Sequence, residues 1–264
     1  TEENGTRMPL HGRIANIPAY RVEVSIDEKA PHAIHVAGEV EESELFFTQM
    51  RLKTNYSTVP GSNRLTLRDE VTNLREDSSG FELVYHWNFG PPQLEEGSRF
   101  QAPIKTVCPR DARAVEGLGH LDVYGPPEPG FTEQVYFFEL LADKDGRTVV
   151  LLRNRAGDQG VALRYSVEQL PCFTLWKSTQ GIHEGYVTGL EPGVNYPNPK
   201  PFEASHGRVR TLRPGESHVA ETVFEVLSGA DAVKAVEQEV AEIQSQARPN
   251  ILSKPTNPFA PEAD

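Results

Sequence analysis

The chain has 264 residues, of which 38% are hydrophobic and 24% are charged, and it carries a formal net charge of −12 with a pI near 5.2. This composition is typical of a soluble globular protein, and the length fits one large all-β domain. The acidic excess argues against nucleic acid or an anionic membrane as a partner, because both bind basic protein surfaces. No segment approaches the ~20 consecutive apolar residues of a membrane span.

Alternating apolar and polar residues dominate the chain and predict antiparallel strands with one buried face. In chain order, the predicted strands are residues 21–26, 45–53, 64–74, 81–87, 132–141, 147–153, 161–167, 173–177, 186–190, 207–212 and 217–226. Turn-forming sequences separate several of them, such as PGSN at 60–63 and DKDG at 143–146. Strands at this spacing without intervening helices predict an all-β fold, a sandwich or a barrel.

One helix is predicted at residues 230–246. Its apolar side chains recur at three- and four-residue steps, at Val233, Val236, Val240 and Ile243. We expect residues 1–247 to form a single domain and residues 248–264, rich in Pro, Asn and Ser, to form a flexible tail. Because a polar cluster appears as early as His11, we also expect the full-length protein to have strands that precede this sequence.

The two cysteines, Cys108 and Cys172, are too few for a disulfide framework. Both lie beside apolar, strand-like residues, so we expect buried thiols rather than a bridge. This pattern predicts a protein of the reducing cytoplasm.

Glu191 is the most informative candidate. It lies between Leu190 and Pro192 at the end of a predicted strand, and Asn195 follows closely. A carboxylate on a rigid turn suits a general base, and a nearby amide is typical of sugar-binding sites. The alternative is a carboxylate that only caps the turn.

His86 follows Tyr85 near the end of another predicted strand, and Asn88 comes two residues later. An imidazole, with an ordinary pKa near ~6.5, suits proton donation at neutral pH. The alternative is a core histidine bonded to the backbone.

His11 and Arg13 flank Gly12, so both would point to the same face of any strand that they occupy. A guanidinium beside an imidazole can hold vicinal hydroxyls or a carboxylate. The alternative is an exposed basic pair.

Further candidates are Trp176, which could stack on a sugar face, its neighbour Lys177, and Glu133 as a second carboxylate. His32 and His35 lack a third ligand at metal spacing, so no metal site is predicted. The sequence has no phosphate-binding loop and no dinucleotide fingerprint. We therefore expect chemistry without a cofactor.

Three stretches of the chain resemble the galactose mutarotase-like superfamily, and within it a less characterised aldose 1-epimerase-like branch. They are residues 10–19 (LHGRIANIPA), 85–103 (YHWNFGPPQLEEGSRFQAP) and 170–198 (LPCFTLWKSTQGIHEGYVTGLEPGVNYPN). The resemblance implies a large antiparallel β-sandwich, the supersandwich of this superfamily, with a small carbohydrate bound across one sheet.

The same resemblance implies roles for individual residues. Glu191 would take the proton from the anomeric hydroxyl, and His86 would donate a proton to the ring oxygen. The residues expected to bind the substrate are His11, Arg13, Asn88, Glu133, Trp176, Lys177 and Asn195.

The sequence departs from the family pattern at three places. Gly12 stands where an asparagine usually precedes the arginine, and Tyr85 stands where an asparagine usually precedes the histidine. The sugar-binding aspartate has no clear equivalent, although Glu133 or Asp122 is a candidate. These departures concern substrate choice more than the acid–base pair.

The leading hypothesis is therefore an aldose 1-epimerase-like isomerase that interconverts sugar anomers. A second is a carbohydrate-binding protein without efficient catalysis. A third is a lyase or hydrolase of an acidic saccharide, which would use Glu191 with Tyr85 or His86. A glycosidase would also need a second carboxylate about 5–9.5 Å from Glu191, and Glu133 is the candidate.

Overall fold

The computed structural model describes residues 2–3, 6–7, 11–45 and 47–261. The chain divides into two compact units, one of Thr1–Phe81 with Val209–Val223 and one of Glu82–Arg208 with Phe224–Asp264. The single domain expected for residues 1–247 stays a prediction.

The all-β fold predicted by the alternating pattern is confirmed. The strands are β1 Glu2–Glu3, β2 Thr6–Arg7, β3 Arg21–Ile26, β4 Ile34–Ser43, β5 Gln49–Thr58, β6 Arg64–Asn73, β7 Ser79–Phe81, β8 Trp87–Phe89, β9 Arg99–Gln101, β10 Ile104–Pro109, β11 Gln134–Leu140, β12 Arg147–Arg153, β13 Gln159–Ser166, β14 Cys172–Thr179, β15 Tyr186–Gly193, β16 Arg210–Leu212, β17 Ser217–Ser228 and β18 Asn250–Ile251. The α-helices are α1 Ala112–Glu116, α2 Ile182–Gly185, α3 Lys200–Ser205 and α4 Ala230–Gln244.

In the first unit, β3, β4, β5 and β6 form an antiparallel meander. A short antiparallel pair, β7 with β16, lies in the same unit. Buried apolar side chains, including Met50, Leu67 and Val71, come from β5 and β6. All six residues of β3 are exposed.

The second unit contains a six-stranded sheet in the order β18-β10-β11-β14-β15-β8. Another sheet of this unit pairs β13 with β12 and β12 with β9. Aromatic rings pack between the two sheets, because Phe100 of β9 lies 5.6 Å from Phe138 of β11 and 5.7 Å from Phe173 of β14, measured between ring centroids. Phe138 and Phe173 therefore point between the two sheets. The residues next to them along β11 and β14 point to the opposite, outer face of the six-stranded sheet.

Helix α4 packs on the face of the β12–β13 sheet that is turned away from the six-stranded sheet. Its buried residues Val233, Val236, Val240 and Ile243 pack on Val149, Leu151 and Ala162. These four residues are those whose periodicity predicts the helix, so that prediction is confirmed.

The C-terminal segment has defined contacts up to residue 261. Strand β18 pairs with β10 in parallel, and Ala260 is fully buried in a cluster with Cys108, Cys172 and Tyr196. Both cysteines are buried and neither forms a disulfide, as predicted. The flexibility expected for residues 248–264 stays a prediction.

A buried carboxylate, Glu203, organises the loop that follows β15. It accepts hydrogen bonds from the backbone N–H of Tyr196 at 3.1 Å and from Asn198 Nδ2 at 2.8 Å, and it binds the Arg208 guanidinium. Asn198 and Arg208 also donate to the carbonyls of Phe259 and Pro258. This network joins the loop to the C-terminal segment.

We expect Glu203→Gln to lower the free energy of unfolding by about 1–3 kcal/mol, because the amide cannot accept from all of these donors. Urea denaturation measures this change. The exposed carboxylate Glu128 provides the matched control, and Glu128→Gln should leave stability unchanged. Equal effects of the two substitutions would contradict the structural role of Glu203.

Candidate active site

The register of three strands places the candidate residues on the outer face of the six-stranded sheet. Glu191 of β15 pairs with Thr174 of β14. Gly189 pairs with Trp176 on one side and with Asn88 of β8 on the other. Side chains two residues apart on a strand share a face, so these five positions form one patch.

His86 and Glu191 meet on this patch. The distance from His86 Nε2 to Glu191 Oε1 is 3.1 Å, and their side chains are 33% and 5% exposed. The carboxylate is thus buried while the imidazole remains accessible. The structure brings the two proposed catalytic residues together.

Gly189 provides the space for this contact. A Cβ at this position would lie 2.2 Å from Glu191 Oε1 and 3.2 Å from His86 Cε1. Gly189 is not among the site residues predicted from the sequence. The signal was present, because a glycine inside a strand marks a close approach by another group.

Burial changes the chemistry of the carboxylate. Desolvation, assisted by the negative charge of Glu133 and opposed by Arg110, raises the pKa of Glu191 to about 8 from an ordinary value of 4.5. A carboxylate with such a pKa is a far stronger base than an exposed one, which suits proton abstraction near neutral pH.

This raised pKa predicts how stability depends on pH. A folded-state pKa above the unfolded value means that the stability associated with Glu191 is complete below pH 4.5 and is lost as pH rises through about 8. We expect Glu191→Gln to unfold like wild type at pH 4.5 and to be more stable by on the order of 2–4 kcal/mol at pH 9. Urea denaturation at both pH values measures the difference in the free energy of unfolding between the variant and wild type. The same difference at pH 4.5 and pH 9 would contradict the raised pKa of Glu191.

Trp176 is held from both sides. Its ring lies edge-on to that of His86, with centroids 5.5 Å apart. Its Nε1 donates to Glu133 Oε2 at 2.6 Å, and the other oxygen of Glu133 lies 3.0 Å from Arg110 Nη1. Because both oxygens of Glu133 are engaged, this carboxylate is poorly suited to act as the second catalytic acid of a glycosidase.

Two predicted substrate-binding residues have other partners. Lys177 points to the face opposite Trp176, where its ammonium donates to the carbonyls of His120, Leu121 and Val123. Burial lowers its pKa to about 8. Asn195 is buried and accepts from the backbone N–H of Leu83.

His11 and Arg13 belong to the first unit. Gly12 adopts a left-handed conformation, with φ of +69°, so His11 and Arg13 lie in a turn and not on a strand. His11 is exposed, and Arg13 pairs with Glu44. Their role in binding a substrate stays a prediction.

The patch also has unsatisfied hydrogen-bonding capacity. Within the described part of the chain, the buried atoms Thr174 Oγ1 and Glu191 Oε1 have no hydrogen-bond partner, since the direction of the contact with His86 does not meet hydrogen-bond geometry. Buried polar atoms are normally satisfied by protein, water or ligand. These two atoms match the hydroxyl groups of a polar ligand.

The described residues contain no group of three or more His, Cys, Asp or Glu side chains that could hold a metal ion. None of the helices in the described ranges is long and apolar enough to cross a membrane.

Comparisons with known proteins agree with this architecture. The model of a family described as a domain of unknown function, DUF4432, matches residues 1–226. A search of curated proteins found no match.

Solved structures show the same fold. A "putative aldose 1-epimerase" from Klebsiella pneumoniae is 37% identical with a TM-score of 0.94, over 98% of this chain and 67% of that chain. A Synechocystis sp. PCC 6803 protein is 16% identical with a TM-score of 0.57, over 86% of this chain and 73% of that chain. A galactose mutarotase-like protein from Clostridium acetobutylicum is 17% identical with a TM-score of 0.56, over 78% of this chain and 66% of that chain.

Proposed function

Because the chain belongs to the DUF4432 family and has the galactose mutarotase-like β-sandwich fold, we propose that it is an aldose 1-epimerase-like isomerase that interconverts sugar anomers. The observation that carries this proposal is the buried Glu191 carboxylate in contact with the accessible His86 imidazole. The proposal gains support from the Klebsiella protein, whose name refers to the same reaction.

The reaction requires two proton transfers. Ionised Glu191 takes the proton from the anomeric hydroxyl while protonated His86 gives a proton to the ring oxygen. The C1–O bond of the ring breaks and the aldehyde forms. Rotation about C1–C2 and the reverse transfers close the ring to the other anomer. Each positioned transfer contributes about 10²–10⁴-fold to the rate.

After this cycle, each residue returns to its starting protonation state. The reaction as a whole needs neither a cofactor nor a metal ion, since it consists of proton transfers and the opening and closing of the ring C1–O bond.

The proposed ligand is a small carbohydrate. Thr174 Oγ1 and Glu191 Oε1 supply buried polar atoms without partners among the described residues, and Asn88 and Trp176 flank them on the same face. An aromatic ring beside amide and hydroxyl groups suits the mixed apolar and polar surface of a sugar. The cytoplasmic location stays a prediction.

Magnetisation-transfer NMR tests the proposal. Exchange between the α and β anomers would be measured across a panel of aldoses in low buffer, with and without the protein. We expect acceleration for at least one aldose. Binding without acceleration would instead favour a carbohydrate-binding protein.

A further inference from the structure

Beyond the pair that transfers protons, a chain of contacts leads from Glu191 to the edge of helix α1. Trp176 meets His86 edge-on, Glu133 accepts from the Trp176 indole at 2.6 Å, and Arg110 lies 3.0 Å from Glu133. We propose that Arg110 and Glu133 are positioning residues, a pair that holds Trp176 against His86 and sets the electrostatic environment of Glu191 from opposite directions.

Arg110 is itself fixed by the backbone. Its N–H donates to the Val135 carbonyl at 2.9 Å, and its Nε donates to Asp111 Oδ2 at 2.8 Å. The other oxygen of Asp111 caps helix α1 by accepting from the N–H of Ala114 at 2.9 Å. The guanidinium is therefore held by Asp111 as well as by Glu133.

Glu133 acts in two ways at once. Its hydrogen bond to Trp176 Nε1 fixes the indole, which fixes the ring that packs on His86. Its negative charge raises the pKa of Glu191, whereas the positive charge of Arg110 lowers it. The charged and titratable groups that act on Glu191 are thus His86 before β8, Glu133 before β11 and Arg110 after β10.

This arrangement suggests why an ion pair lies beside a buried base. Glu133 alone would raise the pKa of Glu191 further and leave less of it ionised at neutral pH. Arg110 limits that effect and holds one oxygen of Glu133 at 3.0 Å. The proposal rests on the proposed function, since a positioning residue needs a catalytic base to position.

The test is the titration of Glu191 itself. It is monitored by NMR of protein labelled with ¹³C at the glutamate carboxyl. The Glu191 signal is assigned by its absence in Glu191→Gln. At pH 7, Glu133→Gln should raise the ionised fraction of Glu191 about threefold to fivefold, and Arg110→Gln should lower it by a similar factor. The double variant should return close to wild type.

Two matched variants separate charge from folding. Arg110→Lys keeps the positive charge, so Glu191 should titrate in this variant as it does in wild type. Glu139 lies on β11, the strand that follows Glu133, and pairs with Lys105 at an exposed site. Glu139→Gln therefore removes a negative charge from the same sheet and should leave the titration of Glu191 unchanged.

Trp176 fluorescence, read in a Trp87→Phe background, gives a second readout. Glu133→Gln keeps a carbonyl acceptor for the indole and should leave the emission unchanged, whereas Glu133→Ala should shift it. Emission that is the same in all three proteins would contradict the role of Glu133 in holding Trp176.

The outcomes distinguish this proposal from the proposed function. Opposite shifts of the Glu191 titration support the positioning pair, even if no sugar is turned over. Equal shifts, shifts in one direction only, or none would overturn it, even if the protein is an active epimerase.

Discussion

Replacing Glu191 by glutamine is expected to slow the exchange of sugar anomers by about 10²–10⁴-fold, the usual contribution of a positioned general base. The amide has the shape of the carboxylate but cannot accept a proton from the anomeric hydroxyl. Sugar affinity should change much less than turnover, because the amide still forms hydrogen bonds.

Magnetisation-transfer NMR gives the exchange rate of this variant, and saturation-transfer NMR gives its sugar binding. Glu184→Gln is the matched control, since Glu184 lies exposed on the short helix α2 immediately before β15. A folded Glu191→Gln variant that keeps wild-type turnover would show that another group is the base.

Replacing Gly189 by alanine is expected to have the second largest effect. The added Cβ would lie 2.2 Å from Glu191 Oε1, so the carboxylate must leave its present position beside His86. A displacement of about 1 Å in a catalytic group costs on the order of 10²-fold in rate. Crowding of the patch should also cost about 1–3 kcal/mol of stability.

Turnover and urea denaturation of Gly189→Ala are best compared with those of Gly119→Ala. A Cβ at Gly119 would meet nothing within 4 Å, so this control should behave like wild type. A Gly189→Ala variant with unaltered turnover would mean that the contact between His86 and Glu191 is not required.

Much of the fold follows from the alternation of apolar and polar residues. Strands β3 and β12 begin and end where the pattern predicts, and α4 follows from its apolar stripe. Strand β4 was missed because its sequence, IHVAGEVEES, has a glycine and several glutamates and buries neither face fully.

The strand predicted at residues 81–87 was wrong. Strand β7 ends at Phe81 and β8 begins at Trp87, with only a single bridge between Val84 and Gly193 in the interval. The N–H of Tyr85 donates to the Pro192 carbonyl, but Pro192 has no N–H to return the bond. The ladder is therefore interrupted immediately before His86.

The same proline lies inside a strand and not in the turn that the sequence predicted. Strand β15 continues through Glu191 to Gly193, and Pro192 pairs with Phe173. The Glu191 side chain consequently lies on the face of a sheet and not in a turn, which explains why it is buried.

Sequence reasoning identified Glu191 and His86 as candidates but could not show that they touch, because they come from segments about one hundred residues apart. It grouped Trp176 with Lys177, although adjacent strand residues point to opposite faces and only one of them can reach the patch. Arg110 carries no motif, and its importance becomes visible only from its contact with Glu133. Gly189 has a signal, a glycine inside a strand, but the groups that approach it become visible only when the register of β14, β15 and β8 is known.

The most direct measurement of the central claim is the pH dependence of enzymatic anomer exchange, with the uncatalysed rate subtracted, for wild type and Glu191→Gln. If ionised Glu191 is the base and protonated His86 is the acid, kcat/KM of wild type should rise and then fall with increasing pH, and the rising part of the profile should be absent from the variant. A wild-type rate that never rises with pH, or the same rising part in both proteins, would contradict the assignment of Glu191 as the catalytic base.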